Sequence, residues 1–242
     1  MQVIICAAGN SKRMGNITRK IPKPLLPINN TTLIENILNC IPGRLVNEVI
    51  VIVGYMEDKI KSKLGNNYNG IKIRYVTNHE YSTTNNMYSI YLTRNMINGP
   101  IIFVSADVLI QQSTFECVVS DLREDLILVD YSEKYFQEDD PVKVSIKGNA
   151  ITSIDKNMNV ESVDCVACGL YKLSSTSILE FLKYSKLFID EDNVNYGYIE
   201  PIKQLVKTIT IEPFDVKNQP WCDVDTPEEY EQVKEFAKRS NI

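Results

Sequence analysis

Short apolar runs alternate with stretches of helical apolar spacing through the first hundred residues. Val3 to Ala7 is an unbroken apolar run of strand length, and Thr32 to Cys40 places Leu33, Ile34, Ile37 and Leu38 on one helical face. Glu48 to Val53 is the next strand. A helix over Met56 to Leu64, a strand over Ile71 to Val76, a helix over Asn85 to Ile97 and a strand over Ile101 to Val104 continue the alternation. Such a β-α-β series predicts right-handed crossovers and a doubly wound, mostly parallel α/β sheet covered on both faces. Its ligand site is expected beyond the carboxyl ends of the strands.

The pattern changes near Leu126. Strands are predicted at Leu126 to Val129, Val142 to Ile146, Ala150 to Ile154 and Val163 to Leu173, with the turn Lys147-Gly148-Asn149 joining two of them. These read as antiparallel additions to the parallel sheet. Helices return at Ser175 to Tyr184, at Ile199 to Val206 and at Pro227 to Arg239. In the last, Thr226 suits the N-cap, Pro227 the first helical position, and Glu228 and Glu229 the positive end of the dipole. No internal repeat or low-complexity linker divides the chain, so residues 1–242 are read as one domain.

With 242 residues, 44% hydrophobic and 24% charged, the composition is that of a soluble globular protein with one sizeable core. The formal net charge of -5 argues against nucleic acid as the main partner. The N-terminus shows no basic leader or cleavage pattern, and no apolar run is long enough to span a bilayer, so a cytoplasmic location without membrane contact is expected. Six cysteines then read as small buried hydrophobes. The one Cys-x-x-Cys, Cys165 to Cys168, lies in an extended stretch where an odd separation sends the two sulfurs to opposite faces.

Candidate chemistry begins where the first strand ends, in Ala7-Ala8-Gly9-Asn10-Ser11-Lys12-Arg13-Met14-Gly15, followed by Lys20-Ile21-Pro22-Lys23-Pro24-Leu25-Leu26-Pro27. Small residues after a buried strand let backbone N–H groups approach a polyphosphate, and Arg13 and Lys23 would bring charge to its oxygens. Neither Gly-x-Gly-x-x-Gly nor the Gly-Lys-Ser/Thr of a P-loop is present. Asp107 follows the strand and Ser105-Ala106, at the sheet edge where a cation carrying phosphate oxygens would lie. In Trp221-Cys222-Asp223-Val224-Asp225-Thr226, Asp223 and Asp225 are two apart and face the same side of an extended segment. Between Asn78 and Leu92, amide and hydroxyl groups suit a base edge, and Tyr81, Tyr88 and Tyr91 offer faces to a cationic head group unless they serve as core.

Ala7 to Met14, with Pro22-Lys23-Pro24-Leu25, resembles the signature of nucleotidyltransferases that activate sugar phosphates and alcohol phosphates. That resemblance implies a Rossmann-like fold of the nucleotide-diphospho-sugar transferase type. The family's arginine and lysine fall on Arg13 and Lys23, its metal-holding aspartate on Asp107 and its second metal ligand on Asp223. Asp225 either caps the following helix or touches the ion. The chain departs from the signature at Ser11, where a glycine is usual; serine there needs φ < 0 or carries strain.

The segment from Asn78 to Leu92 resembles the branch of phosphocholine and aminoethylphosphonate cytidylyltransferases, as does Tyr196-Gly197-Tyr198-Ile199-Glu200. Similarity spans residues 1 to about 230 and is thin between 110 and 160. It implies a Mg²⁺-dependent transfer of CMP from CTP to a small phosphorylated or phosphonate amine, amino-alcohol or amino acid. The implied nucleotide contacts are Ala7, Ala8, Gly9, Asn10, Ser11, Asn78, Thr84, Asn85 and Ala106, and the implied acceptor contacts are Tyr81, Tyr88, Tyr198, Glu200 and Trp221. Lys143 and Lys156 read as solvated lysines. A sugar-1-phosphate nucleotidylyltransferase using another NTP and a non-catalytic nucleotide-binding module are the alternatives, and a homodimer is an allowed assembly.

Overall fold

The computed structural model describes residues 1–136 and 140–240. In chain order its strands are β1 (Gln2–Ala7), β2 (Pro27–Ile28), β3 (Thr31–Thr32), β4 (Glu48–Val53), β5 (Asn67–Tyr68), β6 (Ile71–Thr77), β7 (Ile101–Ser105), β8 (Val108–Ile110), β9 (Leu126–Asp130), β10 (Lys143–Lys147), β11 (Ala150–Asp155), β12 (Cys165–Leu173), β13 (Glu212–Asp215) and β14 (Trp221–Asp223). The α-helices are α1 (Leu33–Cys40), α2 (Glu57–Leu64), α3 (Asn86–Tyr91), α4 (Gln112–Ser120), α5 (Ser175–Asp190), α6 (Ile199–Leu205) and α7 (Pro227–Ser240).

β-Branched residues make β1, β4 and β7 central strands, because a pleated surface buried on both faces suits their stiff side chains. Val3 and Ile5 join one core cluster and Ile4 another, so the strand's alternation divides the interior into two layers. β1 pairs in parallel with β4 and β7, and β4 in parallel with β6. The ends Ala7, Val53, Thr77 and Ser105 consequently lie at one edge of the sheet. On the β7 side the sheet turns antiparallel through β12, which pairs with β7, β9 and β10, and β10 pairs with β11 as the predicted hairpin. The mostly parallel sheet with antiparallel additions is thus as the sequence reads. Cys165 and Cys168 enter different core layers, which keeps them apart.

Several boundaries differ from the pattern reading. The helix expected to run to Ile97 stops at Tyr91, where Thr93 Oγ1 donates back to the Ile90 carbonyl at 2.6 Å and the chain tightens into successive turns. The helix expected to end at Tyr184 continues to Asp190, supported by a Lys186–Asp190 ion pair one turn apart. Helix α4 and strands β8, β13 and β14 fall in stretches for which the apolar pattern suggests no element. β13 runs parallel to β9, and β14 pairs antiparallel with β8 away from the main sheet. Among the described residues no helix is long and apolar enough to cross a membrane.

Candidate active site

The chain leaves β1 at Ala7 and wraps the sheet edge in a loop whose tightest point is Ser11, with φ 50 and ψ 51. The expected strain is therefore present, since the left-handed region costs a residue with a Cβ about 1 to 2 kcal/mol. The turn is held by Met14 N donating to Ser11 O at 3.0 Å and Gly15 N to Lys12 O at 3.2 Å. Tyr55 pins the far side, its hydroxyl donating to Thr18 O at 3.0 Å. Gly54 permits the close packing beneath: a Cβ there would stand 2.8 Å from Ala8 O and 2.9 Å from the Tyr81 Cβ.

Pairing of β8 with β14 brings the carboxylates together. In that register Asp223 lies opposite Val108, and Val224 N donates to Asp107 O at 3.1 Å. Asp107 and the Asp223–Asp225 segment thereby meet although more than a hundred residues separate them in sequence. Lys23 enters from the opposite side on a turn flanked by Pro22 and Pro24. Its ammonium lies 2.6 Å from Asp107 Oδ2 and 2.8 Å from Asp225 Oδ1, while Arg13 Nη2 lies 2.8 Å from Asp225 Oδ2. Lys23 is only 8% exposed and is no solvated loop lysine. Burial disfavours its charge, but Asp107 and Asp225 outweigh that and raise its pKa.

Burial likewise opposes the charge on Asp225, yet Lys23 and Arg13 hold its carboxyl below the usual carboxylate range. Among the described residues Asp223 has no salt-bridge partner. Enclosure in the cleft, then the like charges of Asp107, Asp225 and Glu229, push its carboxyl up to about 7. The side chain itself opens onto the second of the two cavities described below. Asp225 is not the helix cap: Thr226 Oγ1 accepts from Glu229 N, and Glu229 Oε2 accepts from the Asp225 and Thr226 N–H groups. Among the described residues no group of three or more His, Cys, Asp or Glu is placed to hold a metal ion by itself.

Two cavities meet over this cluster and share Arg13, Asn85, Asn86, Ser105, Asp107 and Asp225. One, of about 430 Å³, is lined by the loop from Ala7 to Arg13, Lys23, Asn78, Tyr81, Thr84 and Ala106. The other, of about 330 Å³, is lined by Tyr135, Lys156, Tyr198, Trp221, Asp223 and Glu229 among others. Both volumes suit small-molecule ligands.

Every nucleotide contact expected from the sequence lines the first cavity. Asn78 is 1% exposed and its amide braces the wall, donating to Thr84 Oγ1 and Ser89 Oγ at 2.9 Å each. Tyr198 and Trp221 line the second cavity. Much of Tyr198 is core, edge-on to Phe103 and Tyr171, while Trp221 Nε1 donates to Asp130 Oδ2 at 2.7 Å and its ring lies 5.1 Å from that of Tyr135.

Three expectations place residues differently. Tyr81 lies with the first cavity, not the second. Tyr88 lines neither and is hydrogen-bonded to Glu80. Glu200 also lines neither; it is paired with Lys203, which in turn bridges to Asp155. Lys156, read as solvated, lines the second cavity beside its partner Asp140, whereas Lys143 donates to Met158 O. Asn86, within the amide-rich segment but not among the individual contacts the resemblance implies, lines both cavities, and its Oδ1 accepts from Tyr198 N at 2.7 Å, joining α3 to the start of α6.

The model of the nucleotidyl transferase family matches residues 2–140, a span holding the loop, Lys23 and Asp107. The chain belongs to that family. Over 116 residues, 48% of the chain, it is 31% identical to CMP-5'-(3-aminopropyl)phosphonate synthase of Streptomyces rubellomurinus. It spans only 18% of that relative's length. It is 25% identical to choline-phosphate cytidylyltransferase of Streptococcus pneumoniae across the whole of both chains. The fold is also that of UDP-glucose pyrophosphorylase solved with UDP-glucose, with TM-score 0.79, 15% identity and coverage of 99% and 98% of the two chains.

Proposed function

We propose that the chain is a cytidylyltransferase that transfers CMP from CTP to a small phosphorylated or phosphonate amine, amino-alcohol or amino acid and releases pyrophosphate. The observation that carries this reading is the common floor of the two cavities, where Arg13, Lys23, Asp107 and Asp225 gather at the point of contact between them. The first cavity takes the nucleotide, its phosphates against the backbone of the loop after β1. The second takes the acceptor, with its phosphate or phosphonate toward Arg13 and Lys156.

An acceptor oxygen attacks the α-phosphorus in line, the bond from that phosphorus to the bridging oxygen breaks, and pyrophosphate leaves. The nucleophile is already an anion at neutral pH, so the reaction needs no general base. What the protein supplies is position and compensating charge. Arg13 and Lys23 meet the phosphate oxygens, and Asn85 and Asn86 stand at the junction of the two cavities.

The carboxylates suit Mg²⁺. Oxygens of Asp107 and Asp225 already converge on one cation, the Lys23 ammonium, and Asp223 lines the cavity beside them. One or two carboxylates with substrate phosphates is the usual protein share of a Mg²⁺ site. Asp107, with Asp223 and Asp225, would hold the ion, which when bound neutralises charge on the transferred group and the departing pyrophosphate.

Support for CTP comes from the relatives of Streptomyces rubellomurinus and Streptococcus pneumoniae, a CMP-5'-(3-aminopropyl)phosphonate synthase and a choline-phosphate cytidylyltransferase by name. Support for an amine is the second cavity, where Tyr135, Trp221, Asp223 and Glu229 combine ring faces with negative charge. The likeness to UDP-glucose pyrophosphorylase keeps a sugar-1-phosphate nucleotidylyltransferase as the second reading. Pyrophosphate release with each NTP against phosphocholine, 2-aminoethylphosphonate and a hexose 1-phosphate decides between them. CTP with an amine-bearing acceptor should give the highest rate; a faster hexose 1-phosphate reaction would install the second reading.

A further inference from the structure

Lys23 is held more closely than phosphate binding alone would require. Its side chain is 10% exposed and its ammonium contacts two carboxylates at 2.6 and 2.8 Å, while Arg13 takes the remaining oxygen of Asp225. The backbone around it is stiff: Pro22 and Pro24 fix φ on either side, and Leu25 N and Leu26 N donate to Pro22 O and Lys23 O. The flexible stem of the side chain is the part free to move.

A divalent ion bonded directly to Asp107 Oδ2 and Asp225 Oδ1, at about 2.1 Å from each, would occupy the space the ammonium fills. The two cations exclude one another at that point. The ammonium cannot simply be expelled, because a buried charge that loses its partner carries a large desolvation penalty. It needs another anion within reach of its stem. The adjoining cavity, with small residues and backbone N–H groups from Ala7 to Ser11, is where a polyphosphate would provide one.

We infer that Lys23 is a tethered counter-cation: it closes the Asp107–Asp225 pair to a lone divalent ion and releases that pair when a nucleoside triphosphate draws the ammonium into the first cavity. Metal and nucleotide then bind with positive coupling, each opening the place for the other. The release half of this inference rests on the nucleotidyl-transfer reading; the closure half rests on the ion pairs alone.

The test is Mn²⁺ binding to the nucleotide-free full chain, followed by electron paramagnetic resonance of free Mn²⁺. Lys23→Met should tighten Mn²⁺ binding at least tenfold relative to the parent protein, and adding Asp107→Asn to that variant should remove the gain. Equal affinity in parent and Lys23→Met overturns the inference.

Should Lys23→Met fail to fold, lysine ammonium NMR on the parent protein decides instead. Millimolar Mg²⁺ alone should leave the Lys23 ammonium resonance in place, and the same Mg²⁺ with a methylene-bridged CTP analogue should shift it. A shift with Mg²⁺ alone overturns the inference. Absence of nucleotidyl transfer with every NTP and acceptor would remove the functional reading yet leave the Mn²⁺ comparison intact, so the two failures are separable.

Discussion

Trp221 Nε1 donates to Asp130 Oδ2 at 2.7 Å, tying the strand that carries Asp223 to the end of β9. Asp130 is 7% exposed, and its other oxygen accepts from Ser132 N at 2.7 Å. Removing the indole donor while keeping a ring leaves a buried carboxylate oxygen unsatisfied. Trp221→Phe should therefore cost about 1 to 3 kcal/mol of stability, read by urea denaturation. Because the same ring walls the second cavity, KM for the acceptor should rise more than KM for CTP.

Asp107→Asn and Asp223→Asn keep side-chain volume and remove charge from the proposed metal site. Loss of a mere outer partner of a metal ligand already costs about 10- to 100-fold, so each substitution should lower turnover by about 100-fold or more while the circular dichroism spectrum stays that of the parent. Full activity in either variant would remove that residue from the ligand set.

Gly54→Ala sets a methyl group 2.8 Å from a backbone carbonyl and 2.9 Å from the Tyr81 Cβ, neither of which is the yielding end of a flexible side chain. Overpacking of this kind costs about 1 to 3 kcal/mol. The displacement falls on Ala8 and Tyr81, both lining the first cavity, so nucleotide affinity should fall together with the melting temperature. Unchanged affinity for a CTP analogue in calorimetry would place the nucleotide elsewhere.

A pH-dependent contribution lies far from the site. Hydrogen bonds from the Arg123 guanidinium, then from its backbone N–H, hold the Asp121 carboxyl down at about 2 against the cost of burial. A folded value below the ordinary 3.8 means stability present above that pH and lost as pH falls toward 2. Asp121→Asn should cost about 1 to 2 kcal/mol at pH 7, with allowance for the partly exposed Arg123. Chemical denaturation at a series of pH values should show the gap between parent and variant closing below 3.8.

The parallel half of the fold is legible because its strands are buried on both faces, so Val3 to Ala7 and Val49 to Val53 show as plain apolar runs. The short pieces are not. β8 and β14 take meaning only from each other, and no local pattern announces a pairing between Val108 and Asp223 across the length of the chain.

The same limit governs the site. Arg13, Lys23, Asp107 and Asp223 stand out by position, but burial of Lys23 between Asp107 and Asp225 is a tertiary fact. Thr226, legible as the N-cap, is the cap in the structure, with Glu229 three residues later completing the box; Asp225, which the sequence leaves between cap and ion contact, pairs instead with Lys23 and Arg13. Glu200 reads as a ligand for a cation because the sequence cannot show that Lys203, on the same helical turn, already pairs with it.

Beyond catalysis, the antiparallel end of the sheet bears on how separate copies of the chain behave. Ile151 N, on strand β11 at the end of the sheet path, donates at 2.9 Å to the carbonyl of Ile211, the residue just before β13. Strands β11, β10, β12, β9 and β13 therefore curl back toward one another around Ile127, Val144, Ile154 and Cys165. At the opposite end the path finishes in β5, only two residues long. A bare strand edge is a template on which a second chain can add its own strand. Curling closes the antiparallel end, whereas β5 covers only Ile71 and Lys72 of the seven-residue β6, so the outer side of Arg74 to Thr77 is the stretch on which a second chain would find an edge to extend.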